Sequence, residues 1–119
     1  MTSDCVLVPL VDRKHLIEEC VQLINEEWPV SHSARLRSVE GMANREPPMA
    51  FVLVDSSTEA VVGYARFMHV LNYDGRAVLF ESVVIKKELR GRGFGRLLMD
   101  ALKRRGHPTG LRTVDSLYR

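Results

Sequence analysis

The segment that most constrains the fold is an apolar strand that runs through a glycine-rich turn into a helix. Residues 77–85 are almost continuously apolar and are interrupted only by Glu81 and Ser82, a pattern typical of a central strand covered on both faces. The turn at residues 90–95 has the sequence RGRGFG. Apolar residues then recur at helical spacing over residues 96–105, which predicts a helix with a basic outer face.

This turn has the chemistry of a pyrophosphate site. Glycines let the backbone approach an anion closely, and the first N–H groups of a helix have no intrahelical acceptor and lie at its positive end. Arg90, Arg92 and Arg96 add donors for charge-assisted hydrogen bonds. No GK[ST] follows and the glycine spacing is GxGxG, so neither a Walker-type loop nor a dinucleotide fingerprint is present. The alternative is a surface turn with a solvated basic face.

The rest of the chain predicts alternating strand and helix signals upstream of this segment. Asp12 is the predicted N-cap of an amphipathic helix that Pro29 stops. The remaining predicted elements are strands at residues 6–10, 49–54 and 61–71, the helix at 13–27, a loop at 30–48 with a short helix at 34–39, turns at 55–59 and at Asp74 and Gly75, and a short strand at 111–114.

Composition favours one α/β (α+β) domain over residues 1–119. The chain has 45% apolar and 27% charged residues, and no apolar run approaches the roughly 20 residues that span a bilayer. No basic segment followed by a long apolar stretch opens the chain, so we expect a cytoplasmic protein without a membrane partner. Cys5 and Cys20 have no metal-ligand spacing, so we expect buried thiols and no metal.

Basic charge is concentrated in the last third of the chain. Residues 86–119 hold ten Lys and Arg against three Asp and Glu, whereas residues 1–85 hold seven against twelve. Nucleic acid, an anionic lipid surface or a phosphorylated cofactor are possible partners of such a region. The basic residues surround a glycine turn and lack interleaved aromatic residues, which argues against nucleic acid.

The turn and its flanks resemble a known family. Arg90, Gly93 and Gly95 match the [QR]xxGx[GA] signature of the GNAT superfamily of N-acetyltransferases, and VVIKKELRGRGFGRLLM resembles its fourth strand, turn and third helix. The resemblance covers residues 5–105. Within the superfamily, LINEEWP, SARL and ESVVI together with LRGRGFGRLLM resemble the acetyltransferases of the actin N-terminus. This implies a GNAT-like mixed central sheet with flanking helices, acetyl-CoA as co-substrate, and a protein N-terminus, acidic as in actin, as the acceptor.

The resemblance also implies roles for individual residues. Main-chain groups of Val83, Val84 and Ile85 would pair with the pantetheine arm of acetyl-CoA. The pyrophosphate would lie on the turn and helix start, formed by Arg90, Gly91, Arg92, Gly93, Phe94, Gly95 and Arg96. The substrate loop after the first helix would contribute Trp28, Ser33, Arg35 and Leu36, with His32 and Arg37 nearby. The alternative for this loop is that Trp28 packs on the helix and the arginines are solvated.

Glu81 is the candidate base. Acetyl transfer to an amine requires a neutral nucleophile, so a carboxylate near the cofactor-pairing residues suits deprotonation of the incoming amine. The alternative, of equal weight, is that Glu81 forms an ion pair with a neighbouring cation such as Arg66.

The resemblance stops after residue 105. The family continues with a fifth strand, a fourth helix and two more strands, and residues 106–119 do not match them. We therefore expect a domain truncated after the third helix, and we do not assign Tyr118 the role of the acid that protonates the departing thiolate. The alternative to an active enzyme is an acetyl-CoA-binding fragment with weak or no catalysis and a regulatory role.

Overall fold

A computed structural model of the chain describes residues 4–70 and 77–106. Within them, strands and helices follow one another as β1 (Cys5–Pro9), a 3-10 helix (Leu10–Leu16), α1 (Ile17–Glu27), α2 (His32–Glu40), β2 (Met49–Asp55), β3 (Val61–Val70), β4 (Ala77–Ile85), a 3-10 turn (Lys87–Leu89) and α3 (Phe94–Gly106). The predicted turn at Asp74 and Gly75, the predicted strand at residues 111–114 and Tyr118 lie outside the described residues. The α/β class is confirmed.

The strands form an antiparallel sheet in the order β1-β2-β3-β4. The sequence of β2 is apolar throughout because both faces of the sheet are covered there. Successive side chains of a strand point to opposite faces, so each apolar side chain of β2 meets a core. Ala50, Val52 and Val54 belong to the core on the α1 and α2 side. Met49, Phe51 and Leu53 belong to the core on the α3 side.

Each face of the sheet is buried by helices of complementary apolar pattern. Cys20, Val21 and Ile24 of α1 and Val39 of α2 pack on one face, and all four are fully buried or nearly so. Leu98 of α3 packs on the other face and has no exposed surface. Burial of a side chain of this size contributes about 1.5–3 kcal/mol, so the two helical layers hold the sheet from both sides.

At residues 83–85, where its side chains are described, strand β4 is covered on both faces, but it is not central among the described strands. Val84 packs in the α1-side core, and Val83 and Ile85 pack on the α3 side. In the described sheet, β4 stands at the end of the order beside β3. The apolar residues at the end of β4 therefore reflect two covered faces, which requires helices above and below rather than a strand on each side.

The predicted start of the first helix is wrong. Residues Leu10–Leu16 form a 3-10 helix interrupted at Arg13, whose φ of −141° and ψ of 50° are not helical, and α1 begins only at Ile17. Asp12 does not cap a helix; its carboxylate accepts a hydrogen bond from Arg45 at 2.7 Å. Leu10 and Leu16 are both buried, so tertiary packing overrides the α-helical propensity of this segment and determines its conformation.

The second helix is confirmed and is longer than predicted. It begins at His32 because the side chain of Ser31 accepts a hydrogen bond from the backbone N–H of Ala34 at 3.2 Å, the geometry of an N-cap. At its other end Gly41 follows with a right-handed φ of −67°.

Gly63 is required where β3 passes beneath Ile85. A Cβ atom on Gly63 would lie 2.7 Å from Ile85 Cδ1 and 3.3 Å from the Val84 carbonyl oxygen. We expect Gly63→Ala to lower the free energy of unfolding by about 1–3 kcal/mol, because the buried neighbours have little room to move. Urea denaturation measures it.

Gly41→Ala is the matched control. Its added methyl would meet backbone oxygens at 3.4 and 3.6 Å, which is ordinary contact, and φ there suits alanine. We expect no loss and a gain of up to about 1 kcal/mol from reduced unfolded-state entropy. Equal urea midpoints for the two variants would contradict the close approach at Gly63.

Candidate functional site

The glycine-rich turn between β4 and α3 is open. Gly91 and Gly93 have φ values of 79° and 87°, a region that side chains rarely adopt. A Cβ atom at either position would meet nothing within 4 Å. Gly95 is the innermost of the three, since a Cβ there would lie 4.0 Å from Ile85 Cγ1. The backbone of the turn is therefore accessible to a ligand, as a close approach by phosphate requires.

Helix α3 begins directly at this turn. The backbone N–H of Leu97 donates to the Gly93 carbonyl at 3.0 Å, which marks the first i to i−4 bond of the helix. The N–H groups of Phe94, Gly95 and Arg96 precede it and, as at every helix start, lack intrahelical i−4 acceptors. The positive end of the helix dipole adds favourable potential for an anion at the same place.

The three arginines of the turn do different things. The Arg92 and Arg96 side chains are exposed, and in the described part of the chain neither forms an ion pair. Arg90 instead lies on protein: its Nε donates to the Ile85 carbonyl at 2.9 Å, and its Nη2 donates to Glu27 Oε1 at 2.5 Å. Only Arg92 and Arg96 thus present free guanidinium groups at the turn.

A bulge interrupts the pairing of β4 with β3 just before the turn. Tyr64 lies opposite Val84 and Arg66 opposite Glu81, so Ser82 and Val83 together face Ala65. Ser82 has a φ of 53°, which is unusual for a residue with a side chain and marks a local constraint. The bulge bends the strand and breaks its ladder next to the turn.

Main-chain groups alternate in direction after the bulge. The Lys86 N–H donates to the Val62 carbonyl at 2.8 Å, so the main-chain groups of the preceding Ile85 point away from β3. The same alternation directs those of Val84 toward β3. Three residues were predicted to pair with pantetheine. The main-chain groups of Ile85 point to the outer side of β4, those of Val84 point toward β3, and Val83 lies in the bulge.

The candidate base stands in register with a cation. The Glu81 backbone is paired opposite Arg66, and the Arg66 Nη1 atom donates to Ser38 Oγ of α2 at 3.3 Å. The side chain of Glu81 lies outside the described part of the structure. Both roles predicted for Glu81, base and ion-pair partner, therefore stay predictions.

The loop between α1 and α2 is held by side chains from both helices. The Asn25 amide bonds both main-chain groups of Val30, at 3.2 and 3.3 Å, and its Oδ1 also accepts from Arg35 Nε at 2.9 Å. The Arg35 Nη2 donates to the Trp28 carbonyl. The guanidinium of Arg35, predicted to bind substrate, thus contacts the Asn25 side chain and the Trp28 carbonyl.

The other predicted substrate residues divide into exposed and packed ones. Trp28 keeps 44% of its surface exposed at the end of α1, and Ser33 and Arg37 are exposed on α2. Leu36 is half-buried against the α1-side core. His32 pairs with Glu18 at 2.8 Å. The loop therefore offers an aromatic surface at Trp28 and a cation at Arg37.

Two residues of this region were missed by the sequence analysis, Asn25 and Glu27. Both lie in the last turn of α1, where polar side chains look like an ordinary solvated end. The LINEEWP segment contains both residues, but its sequence does not indicate their contacts. No local pattern pairs Glu27 with Arg90, which lies 63 residues later.

In the rest of the described residues, little supports a nucleophilic cysteine or a metal site. Burial, with a smaller contribution from Glu19, raises the pKa of the Cys20 thiol to about 12, so it stays protonated at neutral pH. Burial and the nearby Asp55 and Asp4 also raise the pKa of Cys5. Across residues 4–70 and 77–106, no group of three His, Cys, Asp or Glu is placed to hold a metal ion. No helix in those ranges is long and apolar enough to cross a membrane.

A groove of about 500 Å³ along α1 has the opposite charge to the turn. Three carboxylates line it against one lysine, and this excess of negative charge disfavours an anionic cofactor. The lining residues are His15, Glu18, Glu19, Gln22, Leu23, Glu26, Val61 and Lys86.

We expect Asn25→Ala to loosen the α1–α2 loop. The substitution removes three hydrogen bonds, so the free energy of unfolding should fall by about 1–3 kcal/mol. Trp28 is the only tryptophan, so acrylamide quenching of its fluorescence should increase. Gln22→Ala, at an exposed position of the same helix, is the control and should change neither quantity. Unaltered quenching in Asn25→Ala would contradict the role of the amide.

Comparison with known proteins identifies the family. Residues 17–118 match the acetyltransferase (GNAT) family, so the match continues beyond residue 105, where we expected the resemblance to stop. The chain is 37% identical over 116 residues to the mouse protein N-alpha-acetyltransferase 80, a match that covers 89% of this chain and 36% of that protein. The chain thus spans about a third of the length of this curated relative.

Solved structures show the same fold. The aminoglycoside N-acetyltransferase AAC(6')-Iy in complex with CoA superposes with a TM-score of 0.78 at 19% identity, over 98% of this chain and 80% of that one. An acetyltransferase from Trypanosoma brucei gives a TM-score of 0.65 at 22% identity, over 95% and 84%. From its sequence match and its strand, glycine turn and helix, the chain belongs to the GNAT acetyltransferase family.

Proposed function

We propose that this chain transfers an acetyl group from acetyl-CoA to the amine of a protein N-terminus. The observation that carries the proposal is the open turn at Gly91 and Gly93, which exposes backbone at the positive end of α3. The similarity to an N-alpha-acetyltransferase supports the acceptor, an α-amino group. Because the chain spans a third of that relative, this activity is a proposal for the chain described here.

The turn suits the diphosphate of acetyl-CoA. Backbone N–H groups from Gly91 to Arg96 supply donors, and the exposed guanidinium groups of Arg92 and Arg96 supply charge. The outward N–H of Ile85 would pair with the pantetheine arm along β4, since the Ile85 carbonyl already accepts a hydrogen bond from Arg90. Bound there, the thioester supplies the acetyl group. No metal is needed in this scheme, since the protein supplies donors and charge.

The acceptor must reach the thioester as a neutral amine. We assign Glu81 to deprotonate or orient it, because its backbone position in β4 precedes the bulge and lies close upstream of Ile85 in sequence. The competing assignment, an ion pair with Arg66, is supported by the register that places the two residues opposite each other.

We propose an acidic N-terminus, such as that of actin, as the substrate. Arg37 is exposed on α2 and attracts carboxylates, and Trp28 offers an exposed apolar surface at the end of α1. Arg35, which the resemblance places in the substrate loop, donates to Asn25 and to the Trp28 carbonyl and so also supports that loop. Action in the cytoplasm stays a prediction from the sequence.

The second candidate is an acetyl-CoA-binding module with weak or no catalysis and a regulatory role. The position of β4 at the end of the described sheet favours this candidate. The reacting groups would lie on β4, and no described strand pairs with its outer edge to support them.

Calorimetry with acetyl-CoA tests the cofactor site. Gly93→Ala places a methyl group in the open space of the turn and strains a residue with a φ of 87°. We expect binding to weaken at least about tenfold, because amide bonds to phosphate are lost and each is worth about 1.5–3 kcal/mol. Gly41→Ala should bind as the unaltered chain does. Equal affinities for all three proteins would place the cofactor elsewhere.

A thiol-release assay separates the two candidate functions. The acceptors are peptides with Asp-Asp-Asp at the N-terminus and matched peptides with Asn-Asn-Asn. Turnover supports the enzyme, and binding without turnover supports the regulatory module. Faster turnover of the acidic peptide, with the advantage reduced by salt, supports the proposed selectivity; equal rates would remove it.

We expect Glu81→Gln to lower kcat by about a hundred- to ten-thousand-fold at neutral pH if Glu81 is the base. Affinity for acetyl-CoA should be retained, because the amide of the variant does not alter the turn. Glu88→Gln, which makes the same charge change at an exposed position near the turn, is the control. Rates of Glu81→Gln that match the unaltered chain at every pH would remove Glu81 from the mechanism and favour its role as a partner of Arg66.

A further inference from the structure

Arg90 occupies a branch point between three elements. It follows the 3-10 turn, and its side chain reaches back to the end of β4 and across to the end of α1. The Nε atom donates to the Ile85 carbonyl at 2.9 Å, and Nη2 donates to Glu27 Oε1 at 2.5 Å. Both partners are fixed on regular secondary structure, so the side chain ties the first residue of the glycine turn to a strand and a helix.

We propose that the Glu27 and Arg90 pair positions the pyrophosphate turn, and that Arg90 is a positioning residue rather than a phosphate ligand. This inference rests on the proposed function, because it assumes that acetyl-CoA binds at the turn. The glycines that open the turn also leave it free to adopt many conformations, a cost that binding would have to meet. Anchoring residue 90 at two points restricts the turn before the ligand arrives.

The pair also joins the turn to the α1–α2 loop. Glu27 is the last residue of α1, and the next residue, Trp28, has its carbonyl bound by Arg35. Arg35 in turn donates to Asn25. A continuous set of contacts therefore links the proposed cofactor turn to the loop that carries Trp28.

Glu27→Gln distinguishes a positioning role of Arg90 from a phosphate-binding role, because the two roles change the affinity for acetyl-CoA in opposite directions. Removal of a negative charge near an anion site strengthens anion binding on Coulombic grounds, and it frees Arg90 to bind phosphate if that is its role. If the pair positions the turn, affinity falls despite the favourable charge change. We expect acetyl-CoA binding to weaken about two- to five-fold, in the range of a partly exposed ion pair.

Glu26→Gln is the matched control. It makes the same charge change one residue earlier on an exposed side chain of α1, and it should bind acetyl-CoA as tightly as the unaltered chain or slightly more tightly. In an Arg90→Gln background, Glu27→Gln should lose its effect, because the partner is gone. Tighter binding by Glu27→Gln, or an undiminished effect in the Arg90→Gln background, would overturn the proposal.

Hydrogen exchange without ligand keeps the test independent of the proposed activity. We expect amides of residues 91–96 to exchange about two- to five-fold faster in Glu27→Gln than in Glu26→Gln. If the unaltered chain fails to bind acetyl-CoA, the proposed function falls, and the exchange rates still decide whether the pair restrains the turn. Equal exchange in the two variants would show that it does not.

Discussion

The packing of α3 against the sheet is the contact on which the candidate site depends. Leu98 is completely buried in the same cluster as Phe51 and Ile85, and Phe94 packs against that cluster at the helix start. Because Ile85 ends β4 and Phe94 begins α3, one apolar cluster holds both ends of the glycine turn. The open amides of the turn are then presented by rigid elements, although the turn itself has few contacts of its own.

The sheet contributes a second feature, the bulge at Ser82 and Val83. An uninterrupted strand would direct alternate main-chain groups toward β3 along its full length. The bulge interrupts that ladder at Ser82 and Val83 and shifts its alternation, so that after pairing resumes the main-chain groups of Ile85 point to the outer side. Strain at Ser82 is held in place by regular pairing on both sides of it, as expected where local geometry serves a site.

Charged side chains near the site divide into those that hold the structure and those that face solvent. The Arg35 guanidinium donates to the Asn25 side chain and to a backbone carbonyl. The Arg90 guanidinium donates to the Glu27 carboxylate and to a backbone carbonyl. Arg37, Arg92 and Arg96 are exposed. In sequence the two groups look alike, since charge and spacing record what a side chain carries and not what it contacts.

The sequence alone determined the order of strands and helices and the position of the glycine-rich turn. Nearly continuous apolar runs over residues 49–54 and 77–85, helical spacing over 96–105 and the RGRGFG turn are local signals, and short-range physics is sufficient to interpret them. Tertiary structure decided the 3-10 form of Leu10–Leu16, the edge position of β4 among the described strands, and the partners of Arg35 and Arg90. Each of these depends on residues distant in the chain that meet only after folding, so no local pattern records them.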